Sequence, residues 1–241
     1  MVYSNRVRIM KPAKLHYFKG RGRAETTRWM LAINNIDFIN ISLEDYNDFD
    51  NLKTSGKLPF NQLPLLELDD LKLSQSNAMI SFLARRGDLY GKTNEDAVRC
   101  DMLVGAVGDF NVPAMQFAFK ADKDEASRDL ENSLKKFGKH FESILTQNKG
   151  KYLVGQKLSI ADIIMGESLT SFIEFLPNCL DDYPHLKLLQ ETVVSEHNIK
   201  EYLNSGNRWR LPDEQYVIDI ARVLCRPLPS HMSEPNRFVK G

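Results

Sequence analysis

A phenol and two guanidinium groups lie close together near the start of the chain. Residues 17–25 read YFKGRGRAE, which places Tyr17 at the end of a predicted strand and Arg21 and Arg23 at the start of the following helix. A phenol can donate a hydrogen bond and a guanidinium carries a permanent positive charge. These groups could stabilise an anion, with Arg23 the better electrostatic candidate. From residue type alone, Tyr17 is more often a packing residue and the arginines could be solvated surface charges.

Alternating apolar patterns place this group in a mixed α/β domain. The predicted elements are a strand at 15–18, a helix at 23–34, a strand at 38–42, a hairpin of strands at 64–68 and 71–73, and a helix at 75–86. A polar connection is expected between the second strand and the hairpin. A βαβ unit followed by a hairpin and a closing helix is a thioredoxin-like arrangement, but its first strand-to-helix turn has no redox dithiol.

Beyond Gly91 the strand signals disappear and long helical patterns follow. Helices are predicted at 95–119, 125–147, 159–175 and 184–196, with an amphipathic helix at 213–224. Pro113 should kink the first of them, and Ser159 with Asp162 has the spacing of a reciprocal N-terminal cap. We expect an N-terminal extension at 1–12, a thioredoxin-like domain at 13–88, an all-helical domain at 94–226 and a tail at 227–241.

Composition disfavours several classes of function. The 241 residues include 32 Lys and Arg and 32 Asp and Glu, so no net charge attracts the chain to nucleic acid or to an anionic membrane. Cys100, Cys179 and Cys225 are too far apart in sequence for a CxxC zinc or redox site, and their odd number does not suit a disulfide framework. No run of 18 apolar residues exists. We expect a cytoplasmic protein without a metal, although the basic first 14 residues also allow a short targeting segment.

Several short segments resemble the cytosolic glutathione transferases. They are 14–18 (KLHYF), 22–25 (GRAE), 61–64 (NQLP), 73–76 (LSQS) and 152–155 (YLVG) with 159–163. The alpha class is most similar, because 89–92 (LYGK) and 211–214 (LPDE) resemble its pattern. The sigma class is second, since the tryptophan that sigma, mu and pi enzymes place near 43–53 has no match. The resemblance covers about residues 13–226 and implies glutathione as a co-substrate, with no tightly bound cofactor.

The resemblance implies thiol chemistry at Tyr17. A free thiol has a pKa near 8.5, so only a few per cent is thiolate at neutral pH, and the thiolate is the nucleophile. By resemblance, the Tyr17 hydroxyl donates a hydrogen bond to the glutathione sulfur and Arg23 supports the thiolate electrostatically. Lowering the thiol pKa by two units would require about 2.7 kcal/mol of selective thiolate stabilisation.

The resemblance also implies how the extended, anionic glutathione is held. The implied binding residues are Lys53 at the glycyl carboxylate, Gln62 beside it, Leu63 and a cis Pro64 along the cysteinyl part, Gln75 and Ser76 at the glutamyl carboxylate, and Asp109, which would reach the ligand of a second subunit. Phe60 is expected to insert into that subunit, so a homodimer is implied. From residue type alone, Ser76 could be a helix cap, Lys53 and Asp109 solvated charges, and Phe60 part of the core.

The second substrate is expected to be an apolar electrophile, bound beneath the amphipathic C-terminal helix as a lid. The implied pocket residues are Phe18, Gly20, Val112, Met115, Gln116, Phe119, Val217, Ile220 and Leu224. The favoured function is conjugation of the glutathione thiolate to such electrophiles, with peroxide reduction or isomerisation as side activities. Two alternatives remain: a non-catalytic ligand-binding or structural protein of the same fold, and a sigma-like prostaglandin isomerase.

Overall fold

A computed structural model describes residues 11–233, so most of the predicted N-terminal extension and the end of the tail lie outside the described residues. Four strands form one sheet: β1 (Ala13–Tyr17), β2 (Phe38–Ser42), β3 (Leu65–Leu68) and β4 (Leu71–Ser74). Their order is β2-β1-β3-β4, with β1 parallel to β2 and antiparallel to β3. Leu15 on β1 faces Leu66 on β3, and both are fully buried. The predicted βαβ unit and hairpin are confirmed.

Three helices complete the N-terminal domain: α1 (Glu25–Ile33), α2 (Tyr46–Thr54) and α3 (Ser76–Arg86). A 3-10 turn at Gly22–Ala24 precedes α1. The polar connection expected before the hairpin contains helix α2, which was not predicted. Asp45 caps α2 by accepting hydrogen bonds from the main-chain N–H groups of Asn47 and Asp48, while only Phe49 on this helix is buried. Its apolar pattern is therefore too weak to indicate a helix.

The C-terminal domain is helical, as predicted. Its helices are α4 (Asn94–Phe110), α5 (Val112–Gln116), α6 (Lys123–Gln147), α7 (Ile160–Phe175), α8 (Pro184–Ser195), α9 (His197–Asn204) and α10 (Glu214–Leu224). Every residue of α7 from Ile160 to Leu169 is buried, since α1, α4 and α8 all pack against this helix. Helix α9, which no pattern indicated, packs on α1. None of the described helices is long and apolar enough to cross a membrane.

The single kinked helix expected at 95–119 is instead two helices. Helix α4 ends at Phe110, Asn111 forms the junction, and α5 continues into a 3-10 turn at Phe117–Phe119. Pro113 is in the first turn of α5. A proline fits there because the first N–H groups of a helix have no partner within the helix. The chain therefore stops and restarts a helix at this point.

The reciprocal cap predicted for α7 is present and buried. The Asp162 carboxylate accepts hydrogen bonds from the main-chain N–H of Ser159 at 2.8 Å, from its hydroxyl at 2.6 Å, and from the N–H of Leu153 at 2.7 Å. Asp162 is fully buried. One carboxylate thus fixes the start of α7 and the loop before it.

Replacing Asp162 with alanine should therefore cost about 3 kcal/mol of unfolding free energy, because two buried N–H donors lose their acceptor. Urea denaturation followed by circular dichroism measures this change. Asp124→Ala is the matched control, since Asp124 is also in the first turn of a helix but is exposed. We expect the control to cost less than about 1 kcal/mol. Equal losses in the two variants would contradict the assigned role of Asp162.

Candidate functional site

Two phenols meet at the turn that follows β1. The Tyr17 hydroxyl accepts a hydrogen bond from the main-chain N–H of Arg23 at 3.0 Å and lies 3.2 Å from the hydroxyl of Tyr216 on α10. Gly22 has a positive φ of 41°, and a Cβ there would lie 2.0 Å from the Tyr216 oxygen and 2.6 Å from the Tyr17 oxygen. Only glycine leaves room for both phenols in this conformation.

The environment keeps Tyr17 in its neutral form. The side chain is 4% exposed, and burial raises its pKa even though hydrogen bonds with Tyr216 and with the Arg23 N–H act in the opposite direction. A phenol with a raised pKa is protonated at neutral pH. Since its oxygen already accepts the Arg23 N–H, Tyr17 is placed to donate its proton in a hydrogen bond rather than to act as a base.

The two arginines of the turn have different environments. Arg21 is buried, forms an ion pair with Glu174, and donates to the carbonyl of Trp209 at 2.6 Å. The alternative of a solvated surface charge is therefore wrong for Arg21. Arg23 is exposed, and its guanidinium forms no ion pair with a carboxylate in the described part of the chain. Arg23 is thus the cation that remains available to an anionic ligand.

A first cavity of about 510 Å³ contains most of the predicted glutathione-binding residues. Its lining consists of Tyr17, Phe18, Arg23, Phe49, Asn61, Gln62, Leu63, Pro64, Gln75, Ser76, Leu224 and Arg226. The Leu63–Pro64 bond is cis, and the Gln75 amide donates to the Gln62 carbonyl oxygen at 2.8 Å. Ser76 begins α3, so unpaired main-chain N–H groups and the positive end of the helix dipole are at this wall.

Three predicted residues lie outside this lining. Lys53 forms an ion pair with Asp50 at 2.9 Å and donates to the Tyr46 hydroxyl at 3.2 Å, although its ammonium lies 5.1 Å from the ring of Phe49, which lines the cavity. Asp109 is exposed on α4. Phe60 is 64% exposed, so the alternative that places it in the core of this chain was wrong.

A second, mostly apolar cavity of about 530 Å³ lies beside the first. Among its lining residues are the predicted Val112, Met115, Gln116, Phe119 and Ile220, with Val104, Val107 and Ile164. Tyr17, Arg23 and Ser76 line both cavities. The two cavities therefore meet at these three residues.

The remaining predicted pocket residues are placed differently. Phe18 and Leu224 line the first cavity and not the second. Gly20 packs against the Tyr216 ring, where a Cβ would lie 2.4 Å from a ring carbon. Val217 lines neither cavity and instead packs in a small cluster with Ala118 and Met232. The described part of the tail thus packs against α10.

Several lining residues of the second cavity were not identified from sequence, among them Tyr216, Glu167, Ser168 and Asn111. Tyr216 lies one helical turn before Ile220, so the helical period could have revealed it. Glu167 is an acid within an otherwise apolar helical run, which is a detectable signal. Nothing in the local sequence indicates Ser168 or Asn111.

Comparison with known proteins identifies the family. Family models described as "Glutathione S-transferase, N-terminal domain" and "Glutathione S-transferase, C-terminal domain" match residues 13–85 and 108–206. Glutathione S-transferase A1 of Bos taurus is 36% identical over 88% of this chain and 97% of that protein. Glutathione S-transferase alpha-4 of Rattus norvegicus is 33% identical, covering 90% and 99% respectively.

Structural comparison agrees. The crystal structure of monomeric Na-GST-3, a glutathione S-transferase from the hookworm Necator americanus, matches with a TM-score of 0.74 at 28% identity and covers 83% of this chain and 100% of that one. The chain therefore belongs to the glutathione S-transferase family, and it is similar to the alpha class.

Proposed function

We propose that this protein conjugates the thiolate of glutathione to apolar electrophiles, with Tyr17 as the residue that stabilises the thiolate. The observation that carries the proposal is the position of Tyr17 at the junction of two cavities, one with polar and helix-terminal groups and one mostly apolar. A sulfur bound at this junction would face its electrophile directly. Peroxide reduction and isomerisation remain predicted side activities.

Tyr17 and Arg23 would lower the thiol pKa together. The neutral Tyr17 hydroxyl donates a hydrogen bond to the sulfur, which is worth more to a thiolate than to a thiol. Arg23 lines both cavities, and its charge, which has no carboxylate partner among residues 11–233, adds electrostatic attraction for the thiolate. The thiol proton leaves to solvent, the sulfur forms a bond to carbon, and the electrons of the attacked bond pass to a leaving group or to an atom that then takes up a proton.

The first cavity would hold glutathione in an extended conformation. The Leu63 main chain is placed to pair with the cysteinyl part, as an added strand pairs with a sheet edge. The start of α3 at Ser76 suits the glutamyl carboxylate. Gln62 and Gln75 already form a hydrogen bond with each other, so their remaining amide groups are held in place for the peptide.

Lys53 would need to change partners to bind the glycyl carboxylate. Its ammonium is occupied by Asp50 and Tyr46, and both contacts raise its pKa, Asp50 more strongly. A carboxylate at the edge of the first cavity near Phe49 would compete with Asp50 for this charge. Gln62, which lines the cavity directly, is the more secure contact.

We also propose a homodimer in which Phe60 inserts into the second subunit and Asp109 reaches that subunit's glutathione. A phenylalanine that is 64% exposed next to the glutathione-binding segment supports a partner surface. Asp109 is exposed and lines neither cavity of its own chain, which supports a role in another subunit. A cytoplasmic location stays a prediction based on charge and cysteine content.

Substitution Tyr17→Phe tests the catalytic proposal, because it removes one donor and keeps the ring. We expect kcat to fall on the order of 10²-fold in a chromogenic conjugation assay, with a smaller change in glutathione affinity. Ultraviolet titration of the binary complex should show a raised thiol pKa. If neither quantity changes, Tyr17 is a packing residue. Wild-type protein that binds immobilised glutathione but conjugates no electrophile would instead be the non-catalytic carrier.

Substitution Tyr216→Phe should have a different effect. Without ligand, Tyr216 shares a hydrogen bond with the hydroxyl that the sulfur needs. Removing this competing partner should lower the glutathione Kd about 2- to 10-fold, as expected for one neutral hydrogen bond. Isothermal titration calorimetry measures the Kd. A Kd that rises would show that Tyr216 itself contributes to glutathione binding.

Substitution Phe60→Ala tests the dimer. It should cost about 2 to 4 kcal/mol of interface energy, shift the protein towards monomer in analytical ultracentrifugation, and weaken glutathione binding. Leu188→Ala is the control, since Leu188 is also a large exposed apolar side chain but lies on α8. Wild-type protein that sediments as a monomer at micromolar concentration with full activity would contradict the roles of both Phe60 and Asp109.

A further inference from the structure

The mostly apolar second cavity has several polar lining residues, and the part of its wall formed by α7 and the α4–α5 junction carries three of them. Glu167 and Ser168 on α7 and Asn111 at the α4–α5 junction line it. Asn111 and Glu167 also line an adjoining recess of about 20 Å³, together with Arg21, Ser171 and Tyr216. A space of this size accommodates about one water-sized group. We call it the recess.

Two atoms of this wall have no hydrogen-bond partner. Ser168 is fully buried, and its hydroxyl has no hydrogen-bond partner. The buried side-chain oxygen of Asn111, Oδ1, also has none. They are two of five such side-chain atoms in the described part of the chain. Leaving one buried polar group unsatisfied costs about 1 to 3 kcal/mol. Because about nine in ten buried polar groups have a partner, two unpaired atoms in one cavity wall point to a ligand group there.

Glu167 adds a carboxyl group with spare acceptor capacity. Within residues 11–233, its oxygens accept two long hydrogen bonds, both of 3.3 Å, from the hydroxyls of Thr26 and Ser171. The buried Arg28 and Arg21 pair with other acids, Glu25 and Glu174 respectively. Burial, followed by the negative charge of Glu25, raises the pKa of Glu167 to about 7, against the effect of Thr26 and Arg21.

We propose that Glu167, Ser168 and Asn111 form a subsite for a hydroxyl group carried by the electrophile. The inference rests on the proposed conjugating function and names the class of substrate that the second cavity selects: an apolar electrophile with an alcohol group that reaches the recess.

Charge and hydrogen-bonding capacity favour an alcohol over other polar groups. A carboxylate would face the negative charge of Glu167, and an ammonium would face the arginines at 21 and 23 that line the recess and the cavity. A hydroxyl donates one hydrogen bond and accepts others. It can therefore pair with the Asn111 oxygen, with the Ser168 hydroxyl, and with Glu167 in either protonation state.

The test uses pairs of benzyl chlorides with para alkyl chains of equal heavy-atom count, one ending in a hydroxyl and one in a methyl, over a short series of chain lengths. For wild-type protein we expect kcat/KM to favour the hydroxyl compound at least about tenfold at one chain length, since an apolar pocket alone would favour the methyl. If no hydroxyl compound exceeds its methyl counterpart, the subsite is wrong and the recess holds only solvent.

Substitutions at Glu167 and Ser168 test whether these residues cause the preference for the hydroxyl compound. The measured quantity is the ratio of kcat/KM for the hydroxyl compound to that for the methyl compound. Glu167→Met removes the acceptor at similar volume and should bring the ratio to about one or below, whereas Glu167→Gln keeps an acceptor and should retain it. Ser168→Ala should reduce the ratio several-fold and is the variant to use if Glu167→Met does not fold by circular dichroism. Gln116→Leu changes a polar residue outside the recess and should affect both substrates equally. Ratios that stay at the wild-type value in Glu167→Met and Ser168→Ala would overturn the assignment.

A binding measurement separates this inference from the proposed function. The same compounds without chlorine cannot react, and their affinities follow from displacement of a fluorescent apolar dye. Preferential binding of the alcohols without any conjugation would leave the subsite standing and remove the enzymatic function. Conjugation without any preference for the alcohols would support the enzymatic function and contradict the hydroxyl subsite.

Discussion

The turn between β1 and α1 is the constraint on which the rest of the site depends. Within it, the Arg23 N–H holds the Tyr17 oxygen, and Gly20 and Gly22 make room for the ring and hydroxyl of Tyr216 from α10. Arg21 extends from the same turn to Glu174 on α7 and to the Trp209 carbonyl. Residues 20–23 therefore position the Tyr17 side chain and helix α10. The same residues also form a contact between the two domains.

Buried charges strengthen this contact. Glu25 on α1 accepts hydrogen bonds from Arg28 at 3.0 Å, from the Trp29 indole at 3.2 Å and from the Tyr202 hydroxyl on α9 at 3.0 Å. Glu174 pairs with Arg208 at 2.8 Å as well as with Arg21. Desolvation offsets much of the attraction in buried ion pairs, so their main contribution is geometric. A shift between the domains would deprive the buried Glu25 and the partly buried Glu174 of hydrogen-bond partners, so these contacts hold the two cavities in a fixed position relative to each other.

Features formed by residues close together in sequence could be predicted, whereas contacts between residues far apart in sequence could not. Strands, hairpin and α3 follow from apolar periods with clear turn residues, and the glutathione-side lining is carried by short segments such as 61–64 and 75–76. Helix α2 has no continuous apolar face, since Phe49 alone on it is buried, so the apolar pattern does not indicate this helix. Tyr216 is 199 residues from Tyr17, so no local pattern contains their contact. Asp50 and Lys53 have helical spacing, but the sequence lacks the apolar pattern that would indicate the helix on which they lie.

The break between α4 and α5 shows how backbone chemistry shapes the second cavity. Ending α4 at Phe110 leaves its carbonyl without a helical donor, and the buried Ser133 hydroxyl donates to it at 2.7 Å. The Phe110 ring stacks on Phe172 of α7, with centroids 4.3 Å apart. The end of α4 is therefore in contact with both α6 and α7. Asn111 is the next residue, and its own side-chain oxygen has no hydrogen-bond partner among the described residues. Because a second helix begins directly after this break, with Pro113 in its first turn, Val112, Met115 and Phe119 line the cavity as apolar residues, and Asn111 at the junction lines the same cavity as Glu167.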